Sequence, residues 1–187
     1  MDAVTDSTQP KPEKPSLYVE GARAFDGDTL YELCEATEAA IHDGGGFGWV
    51  EVPTREQQER YWKGVLLVPN RSLFLGFFDG AVAGSVQLAH PAKQNEAQRL
   101  AAWITTTFVA PWARGHGLFR MLVERAEREA RKRGVEVLNI DIRESQERAI
   151  VHFETLGFER WGTNPYYAKV RGQWVAGHYY SKHLIQK

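Results

Sequence analysis

An α/β fold built round a mixed sheet is the class this sequence predicts, and three observations predict it. Residues 71–78 and 81–89 are apolar, strand-like runs joined at Asp79 and Gly80, a strong hairpin signal. Residues 102–110 and 135–142 form two further strand-like runs with an amphipathic helix, residues 118–133, between them, as a crossover requires. Helical and strand-like segments interleave along the chain with no internal repeat, which favours one sheet with helices packed on it.

Taken in order, residues 1–15 carry Pro, Lys, Glu, Ser and Thr with little apolar content, and are expected to be a disordered tail. One domain, residues 16–187, is expected to follow. Residues 18–24 suit a first strand. Asp28 or Thr29 suits a helix N-cap, with Leu30, Leu33, Cys34 and Ile41 at helical spacing before Gly44, Gly45 and Gly46. Phe47, Gly48 and Trp49 continue that glycine run as an aromatic surface loop. Pro53 and Thr54 open a second helix with Tyr61, Trp62, Val65 and Leu66 inward.

The hairpin of residues 71–89 comes next, then a polar stretch, residues 91–98. The strand of residues 102–110 meets Pro111, and a glycine-containing turn leads into the charged helix, which stops at Gly134. After the strand of residues 135–142, Ser145 is expected to cap a short helix that runs through Leu156 and ends at Gly157. Two aromatic strand-like runs, residues 166–170 and 179–184, close the chain around a turn at Arg171 and Gly172.

Composition narrows the function. The 187 residues carry a net charge of −1, so nothing pulls the whole molecule toward nucleic acid or a membrane surface. Residues 114–133 nevertheless hold seven Lys or Arg against three Glu. A polyphosphate ligand would suit that excess, as would a solvated helix face with pairs Glu124–Arg128, Glu127–Arg131 and Glu129–Arg133. The single Cys34 excludes an internal disulfide and reads as a core thiol rather than a nucleophile. The six histidines show no metal-ligand spacing, so no metal is expected. No apolar run reaches the ~20 residues of a membrane span, and a cytoplasmic protein is the default expectation.

Residues 109–119 carry the chemistry. A strand that turns through glycines into a helix N-terminus presents unpaired backbone N–H groups and partial positive charge to an anion. Glycines allow close approach to a phosphate, and Arg114 adds a charged fork. The spacing fits neither a dinucleotide fingerprint, because Arg120 stands at the third glycine position, nor a Walker loop. It resembles the pyrophosphate loop, Arg-x-x-Gly-x-small, of GNAT-type N-acetyltransferases. Val109, Arg114 and Gly117 match, whereas Phe119 stands where that family prefers Gly or Ala.

A second stretch, residues 145–158, is similar to the other GNAT signature in Ala149, Gly157 and Phe158. Shorter pieces are similar to GNAT proteins of the tabtoxin-resistance type: residues 40–45, residues 85–88, Asp141, Pro165 with Tyr167 and Ala168, and Tyr180 with Lys182 and Leu184.

The resemblance implies a GNAT domain whose mixed, mostly antiparallel sheet splays at an acyl-CoA cleft and is flanked by helices. It implies acetyl-CoA as co-substrate and direct transfer of the acetyl group to a primary amine of a small molecule; a homodimer is compatible with it. Strand amides at Phe108 and Val109 would orient the pantetheine. Arg114, Gly115, His116, Gly117, Leu118 and Phe119 would cradle the pyrophosphate, aided by Arg120. Gln146 stands where an Asn often bonds the pantetheine. Phe153 replaces the tyrosine that usually protonates the leaving thiol. That leaves Asp141 for the amine, with Tyr167 and Tyr180 as candidate phenols. Phe47, Trp49, Trp103 and Trp112 are candidates to wall the acceptor pocket. Two other readings stay open: a member that binds acyl-CoA without turnover, and one that acetylates protein N-termini or lysines.

Overall fold

The computed structural model describes residues 14–45, 48–92 and 94–184; most of the expected N-terminal tail, and Phe47, lie outside them. Seven strands form one sheet: β1 (Leu17–Ala22), β2 (Arg71–Phe78), β3 (Ala81–Ala89), β4 (Ala101–Val109), β5 (Val137–Arg143), β6 (Glu159–Val170) and β7 (Gln173–His183). They lie in the order β1-β2-β3-β4-β5-β7-β6. Every neighbouring pair is antiparallel except β4 and β5, which are parallel.

Local chemistry places both expected turns. Asp79 and Gly80 have φ of 48° and 86°, and Arg171 and Gly172 have 47° and 84°, the paired positive values that a tight two-residue hairpin demands. β6 and β7 extend well beyond the aromatic runs that predict them. β6 is the sheet edge and largely exposed, so its alternation is weak. Its register also slips between Asn164 and Ala168, around Pro165, which has no N–H to give a ladder.

Four helices cover the sheet. On one face lie α1 (Thr29–His42) and α2 (Arg55–Leu67), sharing a core with Leu73, Leu75, Val82 and Phe108. Thr54 and Gln57 close a reciprocal capping box at the start of α2. Cys34 is fully buried in this core, and burial pushes its thiol pKa up, as befits an inert side chain. On the other face lie α3 (Leu118–Lys132) and α4 (Glu147–Thr155), packed on Val86, Leu88, Ala102, Ile104, Leu138 and Ile140. The α3 helix approaches so closely that a Cβ at Gly76 would sit 3.1–3.2 Å from Leu118 and Leu122. No helix among the described residues is long and apolar enough to cross a membrane.

Two details depart from expectation. Gln146, not Ser145, is the N-cap of α4, and no side chain caps it. On α3 only the Glu129–Arg133 pair forms as expected, at 2.9 Å. Glu124 meets Arg120 instead, Glu127 is buried against Lys182 of β7, and Arg131 reaches the carbonyl of Leu184. The expected Glu127–Arg131 pair is thus replaced by contacts that tie α3 to the end of the sheet, because β7 and the residue after it bring partners that sequence spacing alone does not reveal.

Candidate active site

The site begins with an irregularity in β4. Ala102 and Ile104 face α3, and in a regular strand Phe108 would share that face. Phe108 instead packs with α1 and α2, so the parity changes between Ile104 and Phe108. The register against β3 shifts there, and Thr106 has φ of 48°, rare for a β-branched residue. Ser85 Oγ braces the bulge by donating to the Thr106 carbonyl at 3.2 Å. Gly84 is required opposite, because a Cβ there would overlap the Phe108 carbonyl. Bulges increase local twist, and here β4 turns away from β5. The parallel ladder covers only Ala101–Trp103 against Val137–Asn139.

Beyond that point the strands part around a cleft of about 550 Å³. Its β4 wall carries Ile104, Thr105, Thr106 and Thr107, and its β5 wall Ile140, Asp141, Ile142 and Arg143. Gln146, Ala149 and Phe153 line it from the α4 side, and residues 167–170 of β6 from the other. The hydroxyls of Thr105 and Thr107 are shielded from solvent and find no hydrogen-bond partner among the described residues. Arg143 donates to the Gly45 carbonyl at 2.8 Å, and Gln146 donates to that of Gly44.

Asp141 accepts a hydrogen bond from Tyr167. The tyrosine reaches it from β6 by crossing β7 at Gly177, where a Cβ would overlap the ring. Burial, then the hydrogen bond and the nearby negative charge of Asp141, push the Tyr167 pKa far above the ordinary phenol value. The phenol therefore stays protonated and keeps the carboxylate oriented with acceptor positions to spare.

At the far end of β4 the chain turns into α3. Gly115 and Gly117 have φ of 82° and 90°, and a Cβ at either would meet no atom within 4 Å, so the turn is open toward solvent. Gly117 is the N-cap of α3 and supplies no side chain to the first-turn N–H groups. Arg114 is held from both sides: its Nε donates to the Val109 carbonyl at 3.1 Å, and its guanidinium pairs with Asp43. Leu118 is buried and offers only its backbone. The His116 ring packs against Phe78, and Arg120 is exposed beside Glu124. Free N–H groups, an open glycine turn and a cation fit a phosphate chain such as that of acetyl-CoA.

A family model described as acetyltransferase (GNAT) matches residues 30–158, from the start of α1 through the end of the second motif. The chain belongs to the GNAT acetyltransferase family. A relative from Azospirillum brasilense, an uncharacterized N-acetyltransferase in the hisH-hisA intergenic region, is 60% identical over 119 residues, covering 64% of this chain and 71% of its own. An N-acetyltransferase from Staphylococcus aureus Mu50 shares the fold with a TM-score of 0.76 at 18% identity, covering 91% of this chain and 99% of that one. The yncA protein of Salmonella typhimurium, solved with its cofactor acetyl-CoA, does so with a TM-score of 0.74 at 18% identity, covering 92% and 96%.

Within this GNAT fold the remaining candidates separate. Phe119 packs edge-on against Phe153 and stacks on His152, with ring centroids 5.1 Å apart in each case. Two of the departures from the GNAT signatures, Phe119 and Phe153, thus meet in one aromatic contact between α3 and α4. Phe108 faces Trp62 in the core, so at Phe108 as at Val109 only the backbone is available. Tyr180 is fully buried on the α3–α4 face, where its hydroxyl donates to Glu154 at 3.1 Å. It fixes α4 to the sheet and is not among the cleft-lining residues. Trp49 meets Tyr61 in a side recess with Gly48 and Thr106. Trp112 packs on Phe78 near the anion turn, and Trp103 is partly exposed. The sequence placed Tyr61 inward on α2 without a role beyond packing, and singled out neither Arg143 nor Gly177. Gly177 carried no local signal, because its glycine is required by a ring ten residues away on the neighbouring strand.

Proposed function

We propose that this GNAT protein moves an acetyl group from acetyl-CoA to a primary amine of a small molecule by direct transfer. The observation that carries the reading is the position of Asp141. It is a carboxylate on the wall of the splayed cleft, held by a phenol that stays protonated. A carboxylate so placed accepts hydrogen bonds from an incoming amine and takes its proton as the new bond forms. The amine nitrogen bonds to the thioester carbon, and the carbon–sulfur bond breaks. The amine proton passes to Asp141 and from there, by way of solvent, to the departing thiolate.

Acetyl-CoA as co-substrate is supported by the open turn of Gly115 and Gly117, the unpaired start of α3 and Arg114. Backbone groups of Phe108, Val109, His116, Leu118 and Phe119 belong to the same binding track, with Arg120 and Gln146 at its edges. No activated cysteine is available for a covalent intermediate, since Cys34 is buried away from the cleft. The pieces shared with the tabtoxin-resistance type, Asp141 and Tyr167 among them, favour a small acceptor over a protein. A cytoplasmic enzyme, alone or as a homodimer, fits this chemistry.

Calorimetric titration with acetyl-CoA, repeated on Arg114→Ala, tests the cofactor half. A panel of amines read by free thiol release tests the other. Binding that weakens in Arg114→Ala, with thiol released only when amine is present, supports the reading. Binding without release from any small amine favours a ligand-binding module or a protein acceptor.

A further inference from the structure

A chain of polar side chains runs from the sheet surface to the β4 bulge. Arg71 Nη1 donates to Gln87 Oε1 at 2.7 Å, Gln87 Nε2 donates to Tyr61 Oη at 3.0 Å, and Tyr61 Oη lies 3.3 Å from Thr106 Oγ1. Gln87 is fully buried in the interior strand β3, where an unpaired amide would be costly, and both ends of its amide are satisfied.

The order of donors is fixed from the outside. A guanidinium can only donate, so the Gln87 oxygen must face Arg71 and its NH₂ must face Tyr61. The phenol oxygen accepts from that NH₂, and in the head-to-tail order its hydrogen goes to Thr106 Oγ1, 3.3 Å away. The Thr106 hydrogen is then free to point into the cleft that Thr106 lines. Hydrogen bonds arranged head to tail polarise one another, here with a cation at the head. On either side of Thr106, the shielded hydroxyls of Thr105 and Thr107 also lack partners among the described residues.

Across the cleft, Asp141 on β5 thus offers an acceptor and Thr106 on β4 offers a donor.

We propose that Arg71, Gln87 and Tyr61 form a polarised relay that presents the Thr106 hydroxyl to the thioester oxygen as it becomes negative. This rests on the acetyl-transfer reading above. When the amine nitrogen bonds to the carbonyl carbon, the π electrons move onto that oxygen, and a donor already aimed at it stabilises the charge. When the carbon–sulfur bond breaks, the carbonyl re-forms and the hydrogen bond weakens; no proton changes owner at Thr106. Thr106 is the catalytic residue of the relay, and Tyr61, Gln87 and Arg71 are positioning residues. The relay stabilises charge from β4 in a site where Phe153 cannot donate from α4.

The test needs no knowledge of the amine. Acetyl-CoA carrying ¹³C at the thioester carbonyl is bound to the protein, and its carbonyl stretch is read by isotope-edited infrared difference spectroscopy. The relay requires Thr106→Ser to keep the wild-type frequency and Thr106→Val to move it toward that of free acetyl-CoA. Tyr61→Phe should fall between them. Affinity should change less than about threefold in all three variants. Should Thr106→Val not fold, Tyr61→Phe compared with wild type decides. An unchanged frequency in Thr106→Val and Tyr61→Phe, with acetyl-CoA bound, overturns the relay and leaves acetyl transfer standing. Failure of wild type to bind acetyl-CoA overturns both.

Discussion

Tyr167 and Asp141 are joined by a hydrogen bond that spans three strands: the phenol starts on β6, passes over β7 and ends on the carboxylate of β5. The contact holds the β5 wall of the cleft without using any residue of the glycine turn before α3. One member is a carboxylate that accepts, the other a phenol that donates.

Asp141→Asn removes the proposed proton acceptor and should lower kcat by on the order of 10²–10⁴-fold, the usual contribution of a positioned acid or base. Tyr167→Phe removes only the hydrogen bond that orients it, and a loss of roughly tenfold is expected. The Tyr167 phenol is held protonated far above its ordinary range, so Tyr167→Phe should leave the alkaline limb of the pH–rate profile where it is. Steady-state rates across pH for both variants check this. A vanished alkaline limb in Tyr167→Phe would make the phenol itself the titrating acid.

Gly177→Ala should damage the same contact from beneath, since the new methyl overlaps the Tyr167 ring. Overpacking of this kind costs about 1–3 kcal/mol. In a Tyr167→Ala background the obstacle is gone, so the second substitution should cost little. Denaturant melts of the two single variants and the double variant give the coupling directly. Additive losses would show that Gly177 serves some other purpose.

Asp43→Asn should strengthen acetyl-CoA binding severalfold, because it releases Arg114 from its ion pair. Both side chains are partly exposed, and such pairs contribute about 0.2–1 kcal/mol, which bounds the effect. Titrations at low and at high salt check it: the gain should be largest at low salt, where Arg114 attracts the phosphates most strongly.

Glu129 gives the fold an acid-sensitive point. The hydrogen bond from Arg133 holds its carboxyl pKa below the ordinary value, with Arg125 assisting and partial burial opposing. A carboxyl whose pKa is depressed by folding adds stability at pH above its unfolded value. That stability is lost as pH falls through the folded value. Glu129→Gln should therefore cost about 0.5–1 kcal/mol at neutral pH, and the difference from wild type should shrink on acidification. Melting curves at pH 7 and in the acid range measure it; a difference that grows toward low pH would contradict the assignment.

Much of this fold was readable where local chemistry decides. Asp79-Gly80 and Arg171-Gly172 announce their hairpins, and Gly117 announces the start of α3, because the glycine in each takes a positive φ at no steric cost. The open glycine turn before α3 was legible for the same reason. The bulge at Thr106 was not: a β-branched residue argues for a regular strand, and only the pairing with Gly84 and Ser85 imposes the left-handed turn. The pairing of Arg114 with Asp43, 71 residues earlier, was equally hidden, as was the reach of Gln87 to Tyr61. Each depends on which strands become neighbours, and short-range pattern does not encode that.

The short parallel seam between β4 and β5 has a consequence for how such a molecule can be altered. Among the described residues, β4 and β5 pair only over Ala101–Trp103 and Val137–Asn139, with the Leu100 carbonyl accepting from Glu136 and Val137 at the near end. On one side lie the bulge and the anion turn, and on the other Asp141 with the hairpin that carries Tyr167. On the acetyl-transfer proposal, the seam is a narrow coupling between a part that would hold acetyl-CoA and a part that would meet the amine. Exchange of residues 159–183 is then expected to change acceptor choice more than acetyl-CoA affinity, so retargeting would be a smaller step than the size of the domain suggests.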